Sequence, residues 1–160
     1  MDDKQSRRWR MEQLLRRQKA KQTRSYGLLF EECLQELGDN VRIFSEEASE
    51  SMREELVRAY PFTAWGRIHW DQIAHHEVRA AQDIPTLLEA LNIDHSLPIF
   101  IIWSGDHPVL HANLQSVLRA LDHVLAVDFD TFVYNPLQYV IEFYHEGDIT
   151  VAIEQCVKMK

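Results

Sequence analysis

The chain has 160 residues, a length that suits one domain able to bury roughly 70% of the surface its unfolded form exposes, with no need of a disulfide or metal. No apolar run approaches the roughly 18 residues of a membrane span, and the basic amino terminus lacks the apolar stretch of a secretory signal. The net charge of −8 is uneven: residues 1–24 carry nine Lys/Arg against three Asp/Glu, a net of +6, and residues 25–160 carry eight against twenty-two, a net of −14. A body at −14 repels nucleic acid and anionic membrane and attracts basic partners. The two cysteines, Cys33 and Cys156, are isolated and far apart, a usage that fits a reducing compartment, so a cytoplasmic protein is expected.

Residues 1–25 are basic and polar, with a weak stripe at Met11, Leu14 and Leu15, and read as an extension that is partly helical or disordered. The domain follows over 26–160. Phe30, Cys33, Leu34 and Leu37 have the spacing of one helix face, and Gly38 supplies the stop. Val41 to Phe44 reads as a short strand. Ser45 caps a helix that runs to about Ala59, with Ala48, Met52, Leu56 and Tyr60 on its buried side and Glu46 and Glu47 at its positive end. Residues 61–75 are aromatic and turn-rich, with Ile68 to Trp70 a candidate strand and 76–81 a candidate edge strand. Asp83 caps a short helix carrying Ile84, Leu87, Leu88 and Leu91.

The continuous run Ile99 to Trp103 suits a central strand covered on both faces. Asn113 caps a helix bearing Leu114, Val117, Leu118 and Leu121. Leu125 to Asp130 alternates as a strand would, and Thr131 to Gln138 reads as a loop around Asn135-Pro136. Tyr139–Tyr144 and Asp148–Ile153 alternate on either side of Glu146-Gly147, a β-hairpin, and the tail from Glu154 is polar. The expected fold is therefore α+β: one mixed sheet with helices packed on it and a carboxy-terminal antiparallel hairpin.

Little in the sequence speaks for catalysis. Eight histidines invite a metal site, but His107 and His111 are separated by Pro108, His75 and His76 are adjacent, and no HExxH pattern occurs. The usual nucleophile motifs are absent, and five glycines are too few for a clustered phosphate cradle, so no cofactor is implied. Asp128 and Asp130, on one face of a strand, would serve acid–base work, a cation, or plain solvation opposite Leu125, Val127 and Phe129. Cys33 belongs to an apolar helix face and is expected buried. Trp65 and Trp70 are expected to close a small cluster over the sheet. Trp103, at a strand end before a charged turn, is a candidate interface anchor.

Four segments in order carry a resemblance: Phe62-Thr-Ala-Trp-Gly-Arg-Ile-His-Trp70, Ile101-Ile-Trp-Ser104, Asp128-Phe-Asp-Thr-Phe132 and Tyr139-Val-Ile-Glu-Phe-Tyr-His-Glu-Gly-Asp-Ile-Thr150. Over roughly residues 28–153 the chain resembles the immunity proteins of contact-dependent growth inhibition and related polymorphic toxin systems. The resemblance implies a cytoplasmic protein that binds a cognate toxin's carboxy-terminal domain and neutralises it without catalysis. An acidic body suits a basic toxin such as a nuclease. The toxin-binding residues expected are Trp103, Asp106, Asp128, Asp130, Glu142 and Glu146, with His107 and His145 at the rim. Asp128, Asp130 and Glu142 are chosen because strand alternation sets them opposite core residues. Two other readings stand beside this one: another protein-binding regulatory module, and a metal-dependent hydrolase assembled from His107, His111, Asp128 and His145.

Overall fold

The computed structural model describes residues 3–23, 26–94 and 96–153. In chain order, Asp3–Thr23 forms helix α1, Leu28–Leu37 α2, Arg42–Ile43 strand β1, Glu46–Ala59 α3, His76–Val78 β2, Ile84–Ala90 α4, Pro98–Trp103 β3, Leu110–Asn113 β4, Leu114–Arg119 α5, Leu121–Leu125 α6, Thr131–Asn135 β5, Tyr139–Phe143 β6 and Ile149–Ile153 β7. The strands make one sheet in the order β1-β4-β3-β5-β6-β7-β2. The fold is α+β as expected, and the carboxy-terminal hairpin pairs Phe143 with Ile149 and Tyr139 with Ile153.

Every pairing is antiparallel, where early alternation of helices and strands had suggested some parallel pairs. The reason lies in Leu110–Asn113, a strand the sequence reading passed over. A short return after β3 gives that strand an antiparallel neighbour and removes the need for a helical crossover.

The sheet is covered on both faces. On one, α2, α4, α5 and α6 bring Phe30, Cys33, Leu37, Ile84, Leu88, Leu114, Val117 and Val124 onto Ile99, Ile101, Trp103, Val133, Ile141 and Phe143. On the other, α3 and residues 61–75 bring Leu56, Tyr60, Ile68 and Trp70 onto Ile102, Phe132, Tyr134 and Val140. The run Ile99 to Trp103 is continuously apolar because β3 feeds both cores in alternation. Each large side chain so buried contributes about 1.5–3 kcal/mol before chain entropy is counted.

Local signals account for the element ends. Ser45 Oγ accepts the Ala48 N–H at 3.1 Å, and Asn113 Oδ1 accepts the Ser116 N–H at 2.8 Å. Gly38 and Gly147 both adopt positive φ, 84° and 101°, ending α2 and turning the hairpin where side chains are disfavoured. Asp83 precedes α4 but makes no side-chain cap.

Five expectations are corrected. Leu125 to Asp130 is no strand: Leu121, Val124 and Leu125 belong to α6, Val127 drops into the core, and the chain enters the sheet at Thr131. Thr131 to Asn135 is accordingly a fully buried strand rather than loop, and the Asn135-Pro136 turn starts only at its end. Ile68 to Trp70 contributes one bridge, Ile68 to Phe62, and then a single 3₁₀ turn. Ala48 is exposed on α3, and Ser49 is buried in its stead. Trp65 joins no cluster and is 73% exposed.

The helix α1 keeps its side chains 6–16 out of the core, with Trp9, Met11, Leu14 and Leu15 exposed. Among the described residues no helix is long and apolar enough to cross a membrane. The tail from Glu154, with Cys156, lies outside the described residues.

Candidate functional site

The register lines up Trp103, Thr131, Phe143 and Ile149 across four neighbouring strands at one end of the sheet. Three connections leave the sheet there: 104–109, 126–130 and 144–148. Six of the eight expected site residues fall on them, namely Asp106, His107, Asp128, Asp130, His145 and Glu146.

Hydrogen bonds tie these connections to one another. Asp128 Oδ2 lies 3.1 Å from His107 Nδ1, and Asp128 Oδ1 accepts the Phe129 N–H at 2.8 Å. Asp130 Oδ1 accepts the His145 N–H at 2.9 Å and lies 2.9 Å from His145 Nδ1. Ser104 donates its N–H to the Asp130 carbonyl at 3.1 Å and takes the Asp130 N–H on Oγ at 3.3 Å. Gly105 permits this approach, since a Cβ there would stand 2.1 Å from Asp128 Oδ2.

The first connection is also fixed to α3. Arg53 donates to the His107 carbonyl, and the Val109 N–H donates to buried Ser49 Oγ at 2.9 Å. The His107 ring stacks on Phe30, centroids 6.0 Å apart, and meets the edge of Trp103. Asp106 remains exposed beside Glu46, Glu50 and Arg53 along an open cleft.

The other two expected residues are placed differently. Trp103 is 1% exposed and donates its indole N–H to the Val124 carbonyl at 3.0 Å, fastening β3 to the end of α6. Glu142 is 0% exposed. It does stand opposite Ile141 and Phe143, as alternation requires, but that opposite face carries the second core rather than water. Its carboxylate accepts Arg67 Nε at 2.7 Å, the Ile68 N–H at 2.9 Å and Trp70 Nε1 at 3.1 Å. Arg67 also lies 4.1 Å over the Tyr144 ring and 3.8 Å from Asp148. The carboxylate thus joins residues 67–70 to the hairpin.

Phe129 is the residue the sequence reading misjudged most. Alternation would set it on the inward side of a strand, but it is 80% exposed between Asp128 and Asp130, in an edge-on pair with the His145 ring whose centroid lies 6.2 Å away. Its signal in the sequence was Asp-Phe-Asp itself, a bulky apolar residue held between two charges.

The hydrolase set does not assemble. His111 lies on β4 against Phe44 and Phe100, apart from the sheet-end loops. His107 and His145 pair with different aspartates, and among the described residues no group of three or more His, Cys, Asp or Glu could hold a metal. Burial pushes the Cys33 thiol up to about 12 and raises the Tyr139 phenol as well, so neither ionises readily.

The molecule is thus an α+β fold with a carboxylate-rich sheet end whose connections are hydrogen-bonded to one another. The chain belongs to the family described as CdiI immunity protein EcoliA0-like, which matches residues 27–152. It is accordingly an immunity protein of contact-dependent growth inhibition, and α1 lies outside the matched residues. A comparison with curated proteins found no match.

Proposed function

We propose that the domain neutralises the toxin domain of its own system by binding it in the cytoplasm and covering its working surface, without turnover. Family membership carries the reading, and the carboxylates gathered on the sheet-end connections support that end as the contact surface. Asp106, Asp128, Asp130 and Glu146, with His107 and His145 at the rim, form the contact surface. Trp103 and Glu142 support it from below.

Charge supports the choice of partner. A body at −14 steers a basic protein toward it, and the carboxylates stand in for the phosphates of a nucleic acid that such a toxin would grip. The loops are held by hydrogen bonds before the partner arrives, so little ordering entropy is lost on binding.

The test is charge reversal at the two carboxylates that no loop depends on, Asp106→Lys and Glu146→Lys. Association with the toxin domain encoded by the adjacent gene should slow by about tenfold at low salt and lose part of its salt dependence. Unchanged association and unchanged salt dependence would overturn the electrostatic reading.

A further inference from the structure

We infer that Phe129 and Asp130 form a clamp for one arginine side chain of the toxin domain. The inference rests on the reading that the sheet end is the toxin-binding surface, and it names the chemistry that surface selects.

Four observations lead to it. Phe129 is 80% exposed, although the chain has two apolar cores on either side of the sheet into which a large ring would normally go. Its exposure is imposed: the Phe129 N–H is bound to Asp128, Asp128 is bound to His107, and Asp130 is bound through Ser104 and His145, so the backbone on both sides of the ring is held. Both chain neighbours of the ring are aspartates, Asp128 and Asp130, and Glu146 follows His145, whose ring Phe129 meets. Finally, the hydrogen bonds to Asp130 from His145 use Oδ1, and among the described residues none is made to Oδ2.

An exposed aromatic ring next in the chain to a carboxylate oxygen that carries no hydrogen bond among the described residues matches a guanidinium. Arginine stacks its plane on a ring while its N–H groups point outward in the same plane to an acceptor. A lysine ammonium is more strongly hydrated and has no flat face to stack. A purely apolar socket would cover Asp130 Oδ2 without giving it a partner. The occupant that satisfies ring and carboxylate together is therefore arginine.

The experiment measures dissociation of the full chain from the toxin domain encoded by the adjacent gene, with thermal denaturation as a check on folding. Phe129 is exposed, so its substitutions leave the fold intact. Phe129→Tyr and Phe129→Trp should keep the dissociation rate within about threefold, and Phe129→Leu and Phe129→Ala should raise it by about tenfold or more. One arginine of the toxin domain, replaced by alanine, should give the same loss and add nothing further to Phe129→Ala. If Phe129→Leu dissociates as slowly as the unaltered chain, the site is an apolar socket and the clamp is wrong. If Phe129→Ala changes nothing although Asp106→Lys and Glu146→Lys still slow association, the clamp is wrong and the acidic sheet end stands. If the unaltered chain does not bind the toxin domain at all, the reading beneath the clamp falls with it.

Discussion

Glu142 shows how a charged residue on an alternating strand ends up holding two segments together. Its carboxylate takes three donors, from Arg67, Ile68 and Trp70, and is wholly buried. Removing it leaves a cation, an indole N–H and a backbone N–H without their acceptor. Glu142→Ala is expected to destabilise the protein by about 3–5 kcal/mol in urea unfolding, the cost of breaking a buried pair from one side. Cys33 makes the opposite case of a reactive group kept inert by burial. Its thiol stays protonated when folded up to about 12, against 9.0 when unfolded, so its contribution to stability is complete below pH 9 and is lost as pH rises from there toward 12. Tyr139 acts in the same direction. Urea stability should therefore decline as pH rises above 9, and Cys33 should react with a thiol reagent at neutral pH only after unfolding. With Cys156 replaced by Ser, a native thiol that reacts at once would contradict the burial of Cys33.

At the scale of elements, the site depends on three connections that meet because their strands are in register. The sequence alone located much of what frames them: the stripe of α2, the cap at Ser45, the central strand after Pro98, the cap at Asn113, the hairpin around Gly147 and the edge strand at His76–Val78. It failed between Leu125 and Gln138, where a short alternating run fits the end of a helix as well as it fits a strand. That one misreading turned Phe129 inward and put Asp128 and Asp130 on a flat strand face. The loops themselves are sensitive to Gly105, because the space for a Cβ is taken by an Asp128 carboxylate bound from two sides. Gly105→Ala is expected to displace that carboxylate and cost about 1–3 kcal/mol in thermal unfolding, with a changed His107 imidazole signal in NMR spectra. An unchanged His107 signal would show that the loop yields elsewhere.

For the whole molecule, the division of charge matters more than the total. The acidic body contains every buried residue among those described, and α1 carries basic residues on a helix whose side chains 6–16 remain outside the core. We propose that the extension is separate from the toxin-binding unit. Deleting residues 1–25 should leave the unfolding midpoint unchanged within about 2 °C and toxin affinity within about twofold of the full chain, because side chains 6–16 of α1 contribute no buried residue. A loss of protection in producing cells on that deletion would assign the extension a direct part in neutralisation.

Composition, helical stripes, caps and turn residues determined the class of fold, the acidic body and most element positions, because these depend on short-range preferences that neighbouring residues express without help. They also placed Asp106, His107, His145 and Glu146 on turns between strands, whereas Asp128 and Asp130 came to such a connection only through the fold. Which of those residues face water was decided only in three dimensions. Alternation says that Glu142 opposes Ile141, but a second layer of residues 61–75 lies over that opposite face and converts an expected surface carboxylate into a buried one. Trp103 was drawn inward by Val124 and Phe30, partners far away in the chain, and Phe129 was left outside because the hydrogen bonds of Asp128 and Asp130 hold the backbone on both sides of it.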